Sequence, residues 1–186
     1  MVTKAPRRLT RDQWLSQALE VLAQEGSPAL SLNNLIGQFH VTKGSFYWHF
    51  KSQADFEVAL IDHWHESHTL VVARKIDELD GGPEAQLRSL MKMVIAEQHV
   101  LYDGAMTALA VQNPDLRPKI QASYDFRIAY IRKCFSAMGF RGKDLSTRSR
   151  MFVAFMTSEP LVNAGLSIKQ RVAQISANLS LLTGQR

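Results

Sequence analysis

Apolar residues in this chain recur every three or four positions wherever they cluster, and that period leaves few folds open. Leu15, Ala18, Leu19 and Leu22 form one such stripe, and Phe56, Leu60, Trp64 and Val71 another. Leu87, Leu90, Met91, Val94, Ile95 and Leu101 form a third. Ile120, Tyr124, Ile128, Ile131, Phe135 and Met138 follow, and Ile168, Val172, Ile175, Leu179 and Leu182 close the chain. A 3–4 spacing lines up apolar side chains on one helix face, whereas a half-buried strand needs strict alternation. No convincing alternating segment is found. The sequence predicts an all-α fold.

Capping and breaking residues divide the helices. Thr10-Arg-Asp-Gln13 reads as a capping box and Gly26 as the stop of the first helix. Ser27-Pro28 marks a turn. Ser31 opens a short helix through Leu32, Leu35 and Ile36, which breaks near Phe39-His40. Thr42 caps a third short helix ending about Phe50, and Ser52 caps a much longer one. Beyond Gly81-Gly82-Pro83 a helix runs through Leu101. Gly104 begins a short segment ended by Asn113-Pro114, and a long helix stops at Gly139. Arg141-Gly142 turns into a helix holding Met151, Phe152 and Phe155. Glu159-Pro160 should kink or end it, because proline removes a hydrogen bond and clashes with the preceding turn. Ser167 to Gln170 is a second capping box. Small tight helices give way to long ones near residue 52. The expected organisation is an amino-terminal three-helix domain, residues 1–51, and a larger helical domain, residues 52–186.

Composition excludes several classes. With 186 residues and 46% hydrophobic content the chain can bury a core of useful size. No run of ~18 apolar residues exists, so no membrane span is expected. The start, MVTKAPRRLT, lacks an apolar segment and does not read as a signal peptide. The single cysteine, Cys134, precludes an internal disulfide framework and suits a reducing, cytoplasmic compartment. It lies on the apolar stripe beside Ile131 and Met138, as a buried inert thiol would. Formal net charge is +5. Residues 1–51 hold six bases against three acids, and Lys4, Arg7, Arg8 and Arg11 come before any acid. A basic arm beside a compact basic domain is the footprint of a polyanion binder.

Residues 41–50, VTKGSFYWHF, are the most informative stretch. Together with residues 31–40 they make two short helices joined by about three residues, a helix-turn-helix spacing. Phe46 and Phe50, at i and i+4, share one face and belong in a core with Leu15, Leu19 and Leu35. Gly44, Ser45, Trp48 and His49 fall on the opposite face, flanked by Lys43 and Tyr47. That face begins with a glycine, which lets backbone approach another surface closely. It carries the donors a phosphate backbone accepts from.

These residues, S31-L-N-N-L-I-G-Q-F-H-V-T-K-G-S-F-Y-W-H-F50 with Lys51-Ser52, resemble the DNA-binding domain of the TetR (tetracycline-repressor-like) family of bacterial regulators. Thr42-Lys43-Gly44 followed by Tyr47, His49 and Phe50 carries the match, which covers roughly residues 10–56. The resemblance implies a homodimer on a palindromic double-stranded operator, with the third helix in the major groove. It implies DNA contacts from Arg7, Arg8, Ser31, Thr42, Lys43, Gly44, Ser45, Tyr47, Trp48, His49 and Lys51. It also implies a carboxy-terminal domain that binds a small effector and dimerises through its last two long helices. Location would be the bacterial cytoplasm, associated with the nucleoid. Three positions depart from the family pattern. Ile36 stands where alanine is usual and needs a compensating gap, which adjacent Gly37 could supply. His40 stands where glycine is usual and must adopt glycine's turn conformation. Gln53 replaces a frequent lysine, which removes one phosphate contact.

Candidate effector contacts on inward stripes are Trp64, Met91, Ile95, Tyr102, Met106, Tyr124, Ile128, Phe152 and Phe155, a composition suited to an apolar or aromatic ligand. Candidate dimer contacts are Phe152, Met156, Val172, Ala173, Ile175, Ala177, Leu179 and Ser180, where small residues let a second helix come close. Glu159 follows Phe152 and Phe155 on their face. Either it is solvated at an edge, or it holds a cationic effector or an arginine across a dimer. His65 and His68 have metal-ligand spacing, but no cysteine or carboxylate cluster completes a site. No cofactor is expected. Nucleophile elbow, phosphate-binding glycine loop and paired carboxylates are all missing, which argues against an enzyme. The leading reading is a ligand-responsive DNA-binding regulator, most simply a repressor released by its effector. The alternatives are a ligand-independent architectural DNA binder and an all-α enzyme.

Overall fold

Thr10 starts the first helix as its sequence predicts. Its Oγ1 accepts from the Gln13 amide at 3.2 Å, and Gln13 Oε1 accepts from the Thr10 amide at 2.9 Å. The computed structural model describes residues 8–184, and among these it contains helices and no strand. Helix α1 spans Arg11–Glu25 and ends at Gly26, whose φ of +80° costs glycine nothing. A 3₁₀ turn, Ser27–Leu30, leads to α2, Leu32–Phe39, and α3, Lys43–His49. Ser52 Oγ accepts from the Asp55 amide at 3.1 Å and opens α4, Gln53–His65. A π-helical turn, Glu66–Leu70, carries the same rod into α5, Val71–Asp77. Then come α6, Gly82–Ala96; α7, Val100–Gln112; α8, Arg117–Ala137; and α9, Gly142–Val162. The second capping box, Ser167 with Gln170, opens α10, Ile168–Ala173, and α11, Ile175–Thr183, completes the chain.

Two hydrophobic clusters hold these helices. The first centres on Trp14, fully buried, and gathers Leu15, Leu19, Leu35, Phe46 and Phe50 as the i, i+4 pattern requires. It continues past residue 52 through Phe56, Leu60 and Trp64 to Met106 on α7 and Ile120 on α8. The second cluster joins α6, α8, α9 and α11 through Met91, Ile131, Phe135, Phe152 and Leu179. Full burial of each large apolar side chain contributes ~1.5–3 kcal/mol. Cys134 is buried in this second cluster, and burial pushes its thiol pKa up.

Three boundaries differ from the sequence reading, and a fourth, the end expected at Pro160, falls within two residues of it. The helix expected to run through Leu101 ends at Ala96, because Gln98 takes a left-handed φ of +55°. No glycine or proline announces that break. Gly104 does not begin a segment. It lies inside α7, where its missing side chain faces open space. Pro160 is accommodated within the last turn of α9, which ends two residues later. The carboxy-terminal helix is interrupted at Gln174.

Glu159 is 1% exposed, so the solvated-edge reading is wrong. Its Oε1 accepts from Arg171 Nε at 2.8 Å and from Asn163 Nδ2 at 3.0 Å, while Oε2 accepts from Arg171 Nη2. The arginine belongs to the same chain, and the pair clamps α10 onto α9.

Candidate nucleic-acid interface and internal cavity

The helix-turn-helix is built by a small set of local devices. Between α2 and α3, His40 adopts φ 54° and ψ 46°, the left-handed conformation that its place in the turn demands. Val41 N then donates to Ile36 O at 3.2 Å. Thr42 Oγ1 accepts from the Ser45 amide at 3.2 Å and caps α3. Ser31 makes no such side-chain cap bond to α2 and is left exposed. Phe46 and Phe50 anchor α3 beneath, with ring centroids 5.6 and 6.4 Å from Trp14 and 5.4 and 5.1 Å from Phe56. Edge-to-face packing of this kind fixes a helix in rotation as well as position.

What remains outside is narrower than the predicted face. Tyr47 is 58% exposed and Trp48 82%, and Thr42, Lys43, Gly44 and Lys51 are exposed beside them. Ser45 turns inward, where its hydroxyl accepts from Trp14 Nε1 at 3.3 Å. His49 donates through Nε2 to the Leu9 carbonyl at 2.9 Å, tying α3 to the segment before α1. Both are half-buried, so their first role is to position the helix. A Cβ on Gly44 would meet only Thr42 Oγ1, at 3.7 Å, and its φ is not positive. The fold therefore does not need glycine there. The space it leaves opens outward.

Arg8 is exposed near this face, and Arg7 lies outside the described residues. Ile36 packs half-buried against the first cluster. Gly37 does not compensate for it, since Gly37 faces open space on the outer side. Gln53 is committed inward, donating to the Leu30 carbonyl at 3.1 Å.

The larger half holds a partly open cavity of ≈ 70 Å³ between the π-helical turn, α6, α7, α8 and α9. Its walls are apolar, from Val72, Leu90, Val94, Ile131, Phe152 and Met156 among others. One end is polar. Arg127 Nη1 donates to both carboxylate oxygens of Asp103, at 2.9 and 2.8 Å, and Nε donates to Thr69 Oγ1 at 2.9 Å. The guanidinium lies 4.9 Å over the Trp64 ring, a cation–π contact. Asp103 is 3% exposed; burial pushes its pKa up and Arg127 opposes that rise. His68 and His99 complete the polar end, their rings 4.8 Å apart. Burial, then the neighbouring His99 and Arg127, lower the His68 pKa to about 3, so this ring is neutral at ordinary pH. The π-helical turn brings His68 and Thr69 to this wall together.

Of the nine residues read as effector contacts, only Phe152 lines this cavity. Tyr124 lines a shallow cleft with Arg117 and Gln121. Trp64 and Met106 are buried in the first cluster, with Tyr102 packed against it. Met91 and Ile95 are buried in the second, with Ile128 and Phe155 against it. Sequence reasoning passed over Arg127, Asp103 and His99, and read His68 only for its metal-ligand spacing. One clue was available: Asp103 is the lone charge in the otherwise uncharged sequence of α7.

The dimer residues also divide. Phe152, Met156, Ile175 and Leu179 are buried in their own core and cannot form a surface. Val172 is partly buried and Ser180 half-exposed, while Ala173 and Ala177 are exposed. The outward line of α9 runs instead through Met151, Ala154, Ser158 and Leu161, with Leu181 on α11. Leu161 and Leu181 are 83% and 82% exposed.

Residues 15–60 match the sequence model of the bacterial regulatory proteins of the tetR family. The HTH-type transcriptional regulator TtgR of Pseudomonas putida is 30% identical over 95 residues, 51% of this chain and 45% of that protein. The chain thus aligns with about half the length of this curated relative. Over nearly the whole chain the fold is that of E. coli NemR in its reduced form, with TM-score 0.79, 15% identity, and 92% and 96% of the two chains covered. FadR of Bacillus subtilis, in complex with stearoyl-CoA, follows with TM-score 0.69, 19% identity, and 95% and 100% covered. The amino-terminal helices thus match the tetR family of bacterial regulatory proteins in sequence, and the whole chain has the fold of solved tetR-family regulators.

Proposed function

We propose that the protein is a homodimeric, cytoplasmic and nucleoid-associated transcriptional regulator that binds double-stranded DNA and is released from its operator by a small effector. The observation that carries this reading is the outward face of α3. Lys43, Gly44, Tyr47 and Trp48 are exposed there, and of these only Tyr47 packs on the core, its ring edge-on to Phe46. Lys43 and the Tyr47 hydroxyl suit phosphate oxygens, and Trp48 suits apolar contact with base edges. Ser31, Thr42 and Lys51 flank them as further backbone contacts, with Arg8 and Arg7 on the arm. Ser45 and His49 support the helix from inside.

The outer line of α9 and α11 supports dimerisation, because two large exposed leucines with small residues between them suit a second copy of the same helices. Such symmetry matches a palindromic operator. The cavity supports effector control, and it is small. The stearoyl-CoA of the FadR structure far exceeds what this chain encloses as it stands. Repression is the simpler mode, since a bound dimer blocks access to DNA without further contacts.

The test is a salt titration of duplex binding. Each phosphate contact contributes about −0.9 to the slope of log affinity against log salt. Lys43→Ala should weaken binding to any duplex and flatten that slope by about one, and Tyr47→Phe should weaken binding without flattening it. Unchanged affinity in both variants would show that α3 is not the DNA-facing helix.

A further inference from the structure

From the polar end of the internal cavity we infer that the effector is a small neutral phenol, held by its hydroxyl between Arg127 and the imidazole of His99 or His68. The inference rests on the reading of this cavity as the effector site and names the ligand class that fits it.

Hydrogen-bond accounting sets the chemistry. Arg127 spends Nε on Thr69 and Nη1 on Asp103, and among the described residues Nη2 donates to nothing. A ligand acceptor would take that donor. His99 holds Glu97 Oε2 through Nε2 at 2.8 Å, so that nitrogen carries the proton, and in the neutral ring Nδ1 is an acceptor. Nδ1 is buried and has no partner among the described residues. Ser67 gives its only proton to the His63 carbonyl at 2.6 Å, so at 2.7 Å it must accept from His68 Nδ1. That leaves His68 Nε2 as a second acceptor on the same wall. The complement of a free guanidinium donor beside imidazole acceptors is one group that both accepts and donates.

Charge excludes the other candidates. Arg127 and Asp103 cancel, so a carboxylate or an ammonium would bring a net charge into a largely apolar space. The surroundings resist either sign: burial raises the Asp103 pKa and lowers that of His68. A ketone or ester would satisfy Arg127 and leave the imidazole unpaired. A hydroxyl satisfies both, and a phenol donates more strongly than an aliphatic alcohol while staying neutral at pH 7. The ligand must be no larger than one ring, since a dry cavity of about 150 Å³ takes benzene, and at ≈ 70 Å³ this one must widen by movement of flexible wall residues such as Met156 to admit phenol. Phe152, Ile131 and Met156 would enclose its ring.

Four probes of similar size decide this on the wild-type chain by calorimetry and thermal shift: phenol, toluene, benzoate and benzylammonium. Phenol should bind at least tenfold more tightly than each of the others. His99→Phe together with His68→Phe should cost phenol at least tenfold and leave toluene within about twofold. Equal binding of toluene and phenol, tighter binding of either ion, or binding of none of the four would overturn the proposal. Operator titration in the presence of phenol tests the underlying reading separately. If phenol binds and operator affinity does not move, the ligand class stands and the cavity is not the effector site.

Discussion

Removing Arg171 should destabilise the protein far more than an ordinary substitution on a short helix. Glu159 is 1% exposed and accepts three hydrogen bonds, two of them from Arg171. In Arg171→Ala the carboxylate stays in the same buried place with Asn163 as its remaining partner. Hydrogen bonds to charged groups are each worth about 1.5–3 kcal/mol, and breaking a buried pair from one side costs about 3–5 kcal/mol. The expected loss is therefore about 3–5 kcal/mol. Glu159→Leu with Arg171→Met should lose far less, because apolar residues of similar volume avoid the desolvation of two charges. Urea unfolding of both variants, at one fixed protein concentration because assembly adds to stability, gives the comparison. A loss below about 1 kcal/mol in Arg171→Ala would refute the argument. So would a double variant no more stable than Arg171→Ala itself.

Three further outcomes follow from other contacts. His68 is held neutral to about pH 3, so below about pH 6.5 the unfolded chain takes a proton that the folded chain refuses. Stability should fall with pH through that window by up to about 1.4 kcal/mol per unit, and His68→Phe should flatten the fall in urea titrations run from pH 7 to 4. Tyr102 packs its ring 4.3 Å from His68 and donates to Glu20 on α1 at 2.6 Å, linking the cavity wall to the amino-terminal helices. Tyr102→Phe should leave operator affinity within a few-fold while reducing the effector's influence on it, measured by operator titration with and without ligand. Leu161→Asp should convert the proposed dimer to a monomer in sedimentation, since it places charge on the exposed outer line of α9.

The helix-turn-helix was legible because its signals are local. Thr42 caps within three residues, Phe46 and Phe50 mark one face by their spacing, and His40 sits where the turn must reverse. The cavity was not legible, because it depends on distant pairs. Arg127 and Asp103 are 24 residues apart, and Arg127 and Thr69, hydrogen-bonded at 2.9 Å, are 58 apart. Spacing also cannot say which side of an amphipathic helix meets its own domain. Ile175 and Leu179 looked fit for a partner and are buried at home, while Leu161 and Leu181 lie outside. Ser45 and His49 faced away from the phenylalanines on a helical wheel, yet Trp14 and the Leu9 carbonyl reach around to claim them.

Selection of bound duplexes from a random pool tests most directly whether this is a dimeric, sequence-specific DNA binder. Two α3 helices related by a two-fold axis should enrich an inverted repeat with half-site centres ~34–36 Å apart, about 10–10.5 base pairs, or a multiple of that distance. A pool that stays unenriched, or that yields a single unrepeated site, would contradict the account.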